Sequence, residues 1–157
     1  MKVKRMRSIH FTRIGRRMAT AVGLLGISAA SIVATAGPAS AQEAAYNGAC
    51  GSGYNVKDWE DIYAADGRLS ATIYLTYSSG TGKNCVVTIK NGQTTYMVGA
   101  FLENDNDPNS WTSDYGNYMK YAGPVYVYAK GSCVSWGGAY MESEVHRWHT
   151  NCGALAG

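Results

Sequence analysis

The clearest pattern of hydrophobic and polar positions in this chain is a strict alternation over residues 69–77. Apolar Ile73 and Leu75 fall on one face of an extended chain, and polar Thr72 and Thr76 fall on the other. Because successive side chains of a β-strand point to opposite faces, a period of two favours a strand over an amphipathic helix. The sequence therefore predicts a strand with one buried face here.

Turn-forming residues divide the next part of the chain into further short strands. Residues 84–90 predict a second strand, and the Asn91-Gly92 pair predicts a type I′ hairpin turn into a third strand over residues 93–102. Three strands joined in this order predict a β-meander. A polar loop is predicted over residues 103–110. Further strands, separated by glycine turns at 130–131 and 137–138, are predicted over residues 125–129, 132–136 and 139–148.

Residues 111–121 allow two interpretations. Tyr115, Tyr118 and Tyr121 are spaced by three, which fits both a helical face and a tyrosine-rich loop. The surrounding strands and turns predict an all-β fold. We expect a small, disulfide-bonded antiparallel β-sandwich or barrel built from hairpins and meanders.

The N-terminal residues have the composition of an export signal. Residues 1–17 are basic, residues 18–36 are apolar and rich in small side chains, and an Ala-Ser-Ala sequence occupies residues 39–41. The sequence therefore predicts an N-terminal signal helix that is cleaved after Ala41. Cleavage would leave one mature domain over residues 42–157.

Two alternatives concern this leader. Its apolar stretch is close to the roughly 20 residues that span a membrane. Its Ala, Gly and Ser content and the Ala-Ser-Ala sequence nevertheless favour cleavage over an uncleaved anchor. Arg16-Arg17 is compatible with twin-arginine export. The general secretory route is favoured because Met-Ala-Thr, rather than a bulky apolar pair, follows the arginines.

The charge of the chain is divided between the leader and the predicted mature domain. Seven basic residues and no carboxylate precede Ala41, whereas seven basic residues stand against eleven carboxylates from Gln42 onward, a formal charge of −4. The basic balance of the whole chain therefore belongs to the leader. This distribution argues against a nucleic-acid partner, and no membrane partner is expected after signal cleavage.

All four cysteines lie in the predicted mature domain, at Cys50, Cys85, Cys133 and Cys152. An even number of cysteines in a small exported domain predicts two disulfides. Zinc is not favoured, because the closest two cysteines are nineteen residues apart and no C-x-x-C pair occurs. Three pairings are possible, and Cys50–Cys85 with Cys133–Cys152 is the favoured one.

Four sequence blocks around the cysteines carry a family resemblance. They are residues 46–54 (YNGACGSGY), 82–88 (GKNCVVT), 121–128 (YAGPVYVY) and 133–138 (CVSWGG). Together they resemble the spore-associated protein A family, small exported proteins of filamentous, spore-forming actinobacteria, over about residues 46–153. The resemblance implies a location on or near spores and aerial surfaces. It implies no known reaction, so it assigns no catalytic residues.

Two groups of residues have spacings that metal sites use. His146 and His149 form an H-x-x-H pair, but two residues three apart share a face only on a helix, and this segment is predicted as a strand. Asp105 and Asp107 place oxygen ligands at alternate positions, yet the glycine and glutamate that an EF-hand loop needs are missing. Both groups are weak candidates, and the sequence predicts no metal and no cofactor.

Aromatic side chains are dense in the predicted mature domain, which holds all twelve tyrosines and all four tryptophans. Most such rings are expected to fill the core, and a sugar-binding platform is the alternative role. A glycosidase is not favoured, because the carboxylates beside Trp59 are too close in sequence to flank a cleft. The candidate ligand-contact aromatics are Trp59, Trp111, Tyr115, Tyr118 and Tyr121.

The sequence contains no G-x-S-x-G motif, no phosphate-binding loop and, if the disulfides form, no free thiol. We therefore expect a secreted, spore- or cell-surface-associated structural protein without catalytic activity. Its expected partners are components of the spore or cell-envelope surface. The alternatives are an extracellular module that binds wall glycan and an inhibitor or effector of a secreted hydrolase. A small secreted hydrolase has no local support.

Overall fold

The computed structural model describes residues 45–153, and two antiparallel β-sheets make up most of this part. In chain order the described strands are β1 (Asn55–Tyr63), β2 (Leu69–Ser78), β3 (Lys83–Lys90), β4 (Tyr96–Asn104), β5 (Asp107–Tyr118), β6 (Tyr121–Tyr128), β7 (Val134–Tyr140) and β8 (Ser143–Thr150). The first sheet has the order β1-β2-β3-β6, and the second has the order β5-β4-β7-β8. The predicted all-β antiparallel fold is confirmed, in its sandwich form.

The predicted signal helix and its cleavage site lie outside the described residues. Among residues 45–153, no helix has the length and apolar character needed to cross a membrane.

The core lies between the inner faces of the two sheets. Ile73 and Leu75 of β2 are fully buried there, as the period-two pattern predicts, and Val86 of β3 is buried beside them. They belong to the same cluster as Leu102 of β4 and Trp136 of β7. Each fully buried side chain of this size contributes roughly 1.5–3 kcal/mol. This apolar layer therefore supplies the main force that holds the sheets together.

Residues 46–54, which we call the N-terminal strap, cover part of the outer face of the first sheet. Cys50 forms a disulfide with Cys85 of β3, and the Tyr46 and Tyr74 ring centroids lie 5.4 Å apart. The hydroxyl of Tyr126 donates to the carbonyl of Cys50 at 3.1 Å. The strap is therefore held to the sheet by one covalent bond and several noncovalent contacts.

The second disulfide joins Cys133, just before β7, to Cys152, just after β8. It ties the end of the described chain to the β6–β7 connection. Both favoured disulfide pairs are therefore present in the structure, and the described residues contain no free cysteine.

The connection after β3 differs from the prediction. Asn91 does not adopt the left-handed backbone conformation that a type I′ turn requires, and β4 pairs with β5 and β7 rather than with β3. The backbone N–H of Asn91 donates to the carbonyl of Ser70, and its side-chain amide donates to that of Leu69. These bonds hold Asn91 against β2 while the chain crosses to the other sheet. The predicted three-strand meander is therefore wrong.

The polar loop predicted over residues 103–110 is also wrong. Strands β4 and β5 extend into this segment and leave only Asp105-Asn106 as the turn. The backbone N–H of Asn104 donates to the Ser110 hydroxyl at 2.8 Å, which joins the two strands near their ends. Beyond the turn, exposed and half-buried residues alternate along residues 110–118, so this segment is a strand rather than a helix or loop.

Two further differences concern glycines and an unpredicted strand. Gly137 and Gly138 lie inside β7 rather than at a turn. Both positions require glycine, because neighbouring atoms leave no room for side chains there. The β7–β8 turn falls at residues 141–142 instead.

Strand β1 was not predicted, and its register shifts between Val56 and Asp58. This irregularity breaks the period-two signal on which the prediction of strands depended.

Candidate functional site

The outer face of the second sheet carries a row of four aromatic side chains, which we call the aromatic row. Trp111 of β5 stacks on Phe101 of β4 with ring centroids 5.0 Å apart. Phe101 lies 4.5 Å from His146 of β8, and His146 stacks on Trp148 at 5.2 Å. Neighbouring rings therefore touch from one edge strand of this sheet to the other.

The row is continuous because β7 contributes a glycine at the crossing point. Gly137 pairs with Phe101 on one side and with His146 on the other. A Cβ atom at Gly137 would lie 2.4 Å from Phe101 Cζ and 2.0 Å from the carbonyl oxygen of Val145. Both distances are far shorter than a van der Waals contact. Only glycine at this position lets the two rings meet across the strand.

The two ends of the row are open to solvent. Trp111 is 47% exposed and Trp148 is 58% exposed, whereas Phe101 between them is fully buried. Each indole stacks on a row neighbour through one face, so its other face is available to a ligand or surface. Exposed indoles that are fixed by packing lose little conformational entropy on binding.

Tyr115 extends the aromatic surface beside the row. Its ring lies over Gly99 of β4, where a Cβ atom would be 2.2 Å from Tyr115 Cε1. Its hydroxyl donates to Glu144 Oε1 of β8 at 2.9 Å. The ring therefore reaches across the small residues Gly99 and Ala139 and links the two edge strands. Tyr115 and the aromatic row together form what we call the aromatic face.

The aromatic face carries acidic but no strongly basic side chains. The outward positions of the described strands in the second sheet include Glu103 and Glu144 and contain no Lys or Arg. Glu144 Oε1 also lies 3.1 Å from His146 Nε2. The surface is therefore unfavourable for polyanions.

Comparison with known proteins identifies a relative of this chain. The chain is 45% identical to "Spore-associated protein A" of Streptomyces coelicolor over 140 residues, which are 87% of this chain and 86% of that protein. This chain belongs to the spore-associated protein A family. No family model and no solved structure matches it.

In this spore-associated protein A family member, the candidate aromatics occupy different surfaces. Trp111 and Tyr115 lie together on the aromatic face. Trp59 of β1 packs against the outer-face cluster of the first sheet, near the N-terminal strap. Tyr118 packs against the core and donates its hydroxyl to Asp114, and Tyr121 lies on β6 of the first sheet. The five candidates therefore do not form one surface.

The candidate metal-ligating residues also lie apart from one another in two groups. His146 belongs to the aromatic row, whereas His149 Nδ1 lies 2.8 Å from Asp105 Oδ2. Asp107 Oδ1 accepts the backbone N–H of Asn109, as in a local turn. Within residues 45–153, no group of three or more side chains is placed to bind a metal ion.

A Ser-Asp-His cluster lies beside the second disulfide. The Ser135 hydroxyl donates to Asp105 Oδ1 at 2.6 Å, and the opposite oxygen of the same carboxylate contacts His149. The His149 side chain is 76% exposed, while Ser135 is buried. The carboxylate, rather than the imidazole, therefore lies between the other two groups.

Sequence reasoning missed part of the aromatic face. Phe101 and Trp148 were not named as candidates, and His146 was considered only as a metal ligand. Glu144, His146 and Trp148 are spaced by two on one strand, a pattern that places them on the same face. That spacing could have identified the β8 half of the surface. The contact with Phe101 depends on strand pairing and has no local signal.

Tyr115 gives the protein a predictable response to alkaline pH. Burial, and then the hydrogen bond to Glu144, raise the pKa of Tyr115 above its ordinary value. The resulting stability is complete below about pH 10, where an unfolded tyrosine begins to ionise, and is lost as the pH rises further. We expect Glu144→Gln to lower the pKa of Tyr115, seen as tyrosinate absorbance appearing at lower pH.

The matched control is Glu142→Gln, which removes an exposed carboxylate from the adjacent turn. It should leave the tyrosinate titration as in the parent protein. Identical titrations for the Glu144 variant and the parent would contradict this account of Tyr115.

Proposed function

We propose that this protein is a non-catalytic extracellular protein that attaches to the spore or cell-envelope surface through its aromatic face. The observation that carries the proposal is the pair of exposed, stacked tryptophans at the two ends of the aromatic row. The two disulfides and the relative's name, "Spore-associated protein A", are consistent with an extracellular or surface location.

The energy of attachment comes from apolar and stacking contacts in this account. Burial of apolar surface stabilises a complex by roughly 25 cal/mol per Å² before the costs of association. Tryptophan is over-represented among the residues that dominate binding interfaces. Because the aromatic face has no Lys or Arg, binding should change little between low and high salt.

The Ser-Asp-His cluster supports the non-catalytic part of the proposal. Nucleophilic catalysis needs a serine that hydrogen-bonds to the base that removes its proton. Here Ser135 is buried and donates its hydrogen bond to Asp105 rather than to His149. The Asp105 carboxylate contacts both Ser135 and His149. The cluster therefore acts as a structural tie between the β4–β5 turn, β7 and the end of β8.

A wall glycan is the surface component that the exposed indoles favour. Sugar rings present C–H groups that pack against aromatic faces, and the open faces of Trp111 and Trp148 offer two such places. The acidic groups of the aromatic face argue against an anionic polymer such as one linked by phosphodiesters. A neutral polysaccharide of the spore or cell envelope is thus the proposed attachment point.

The proposal is tested by binding protein from the culture medium to washed spores. The double variant Trp111→Ala/Trp148→Ala should bind at least about tenfold more weakly, since truncation of a binding hot spot costs about 2 kcal/mol or more and tryptophan is enriched among hot spots. Tyr63→Ala is the control, because Tyr63 is 56% exposed but lies on the first sheet. It should bind like the parent protein. Equal binding by the double variant and the parent would contradict attachment through this surface.

A further inference from the structure

A cavity of about 620 Å³ lies where the β3–β4 crossing meets the β7–β8 turn. Its volume is within the roughly 300–1,000 Å³ typical of small-molecule sites. None of the side chains of the aromatic face lines it. Its lining includes the cations Arg68 and Lys90 and the aromatic side chains Tyr96 and Tyr140.

The cavity lining is positively charged although the predicted mature domain is acidic overall. Two of its lining residues, Arg68 and Lys90, are cations, and no Asp or Glu is among the lining residues. A concave site lined by one sign of charge concentrates ligands of the opposite sign. The lining is therefore complementary to an anion.

Lys90 is a buried cation without a counter-ion. It is 8% exposed and has no carboxylate partner among the described residues. Its ammonium group donates to the backbone carbonyls of Thr94, Tyr118 and Met119. These bonds satisfy its three N–H groups but do not neutralise its charge. Desolvation by burial accordingly lowers the pKa of Lys90.

Arg68 lies at the open edge of the cavity, where its side chain is 83% exposed and pairs with its neighbour Asp66. Its Nε atom lies 2.7 Å from Asp66 Oδ2, and its backbone N–H donates to Asp66 Oδ1. This arrangement uses the inner nitrogen and leaves the two terminal nitrogens of the guanidinium for a further acceptor. Such a fork fits the two oxygens of a carboxylate or phosphate.

Two tyrosine rings form an apolar wall in the same cavity. Tyr96 and Tyr140 pack edge to face with centroids 5.8 Å apart. Lys90 Nζ lies 5.3 Å from the Tyr96 centroid and 6.0 Å from that of Tyr140. A ring-shaped ligand could therefore pack against tyrosine while its anionic group lies near both cations.

We propose that this cavity binds a small organic anion, a ring compound with one carboxylate or phosphate group. The anionic group contacts the free guanidinium nitrogens of Arg68 and compensates the buried charge of Lys90. The ring packs against Tyr96. This site is separate from the aromatic face, so the proposed attachment function and this proposal can fail independently.

The test is calorimetric titration of the secreted Trp111→Ala/Trp148→Ala variant, which lacks the indoles proposed to pack against sugars on the aromatic face, with glucose 6-phosphate, glucuronate, glucose and inorganic phosphate. At least one of the two ring anions should bind, and which one binds distinguishes phosphate from carboxylate recognition. Neutral glucose should not bind. Inorganic phosphate, which cannot pack against the rings, should bind at least about tenfold more weakly than the better ring anion.

Variants localise the binding. Arg68→Gln should weaken binding of the better ring anion at least about tenfold, since it removes the guanidinium charge and its paired N–H donors. Lys130→Gln is the control, because Lys130 is exposed and does not line the cavity. Failure of both ring anions to bind at millimolar concentration would overturn the proposal. So would equal binding of glucose, or an Arg68 variant that binds like the parent.

Discussion

Reduction of both disulfides is expected to unfold most of the protein at physiological temperature. The bridges Cys50–Cys85 and Cys133–Cys152 close loops with sequence separations of 35 and 19 residues. Loops of these lengths contribute about 3–4 kcal/mol each by restricting the unfolded chain. Small domains have a net stability of roughly 5–15 kcal/mol, so losing both contributions removes a large share of it. Near-ultraviolet circular dichroism with and without reductant measures the effect.

The two bridges can be separated by paired substitutions. Cys50→Ser/Cys85→Ser and Cys133→Ser/Cys152→Ser should each lower the free energy of unfolding by about 3–4 kcal/mol. The first pair should also increase hydrogen exchange in the N-terminal strap, which loses its covalent link to β3. Reduced parent protein with an unchanged denaturation midpoint would show that the disulfides contribute little to stability.

Substitution of Trp136 by alanine is expected to have the largest effect of any single tryptophan substitution. Trp136 is fully buried in the core, and its Nε1–H donates to the hydroxyl of Thr150 at 2.7 Å. Truncation of a buried tryptophan costs about 3–5 kcal/mol, because it leaves a cavity and removes apolar contacts. Chemical denaturation of Trp136→Ala measures the change in the free energy of unfolding.

Trp148→Ala is the matched control, since it makes the same chemical change at a side chain that is 58% exposed. Its expected cost is below about 1 kcal/mol. Equal losses from the two variants would contradict the burial of Trp136 in the core and the exposure of Trp148 on the outer face.

Local sequence patterns predicted strands more successfully than strand pairing. The alternation from Leu69 to Tyr77 identified β2, whose apolar face lies in the core between the sheets. Residues 84–90 identified β3, but its alternating Cys85, Val87 and Ile89 lie on the outer face, in the cluster beneath the N-terminal strap. The turn at Asn91-Gly92 misled the prediction of pairing. Its conformation is decided by hydrogen bonds to Ser70 and Leu69, which are distant in sequence.

The aromatic face was only partly predictable, because it also depends on contacts between residues that are distant in sequence. Trp111 and Tyr115 were candidates from their residue types alone. Their position on one face follows from the extended form of β5, which the tyrosine spacing left undecided. The contact between Phe101 and His146 requires Gly137 to lie between them in register. Register is a property of the paired strands and cannot be derived from one of them.

Hydroxyl-radical footprinting of the protein bound to spores tests most directly which surface is used. Mass spectrometry compares the oxidation of individual side chains in free and spore-bound protein. Attachment through the aromatic face predicts protection of Trp111, Tyr115 and Trp148 on binding, with unchanged oxidation of Tyr63 and Tyr128 on the first sheet. Protection of Tyr63 and Tyr128 with Trp111 and Trp148 still fully oxidised would contradict the proposed attachment surface.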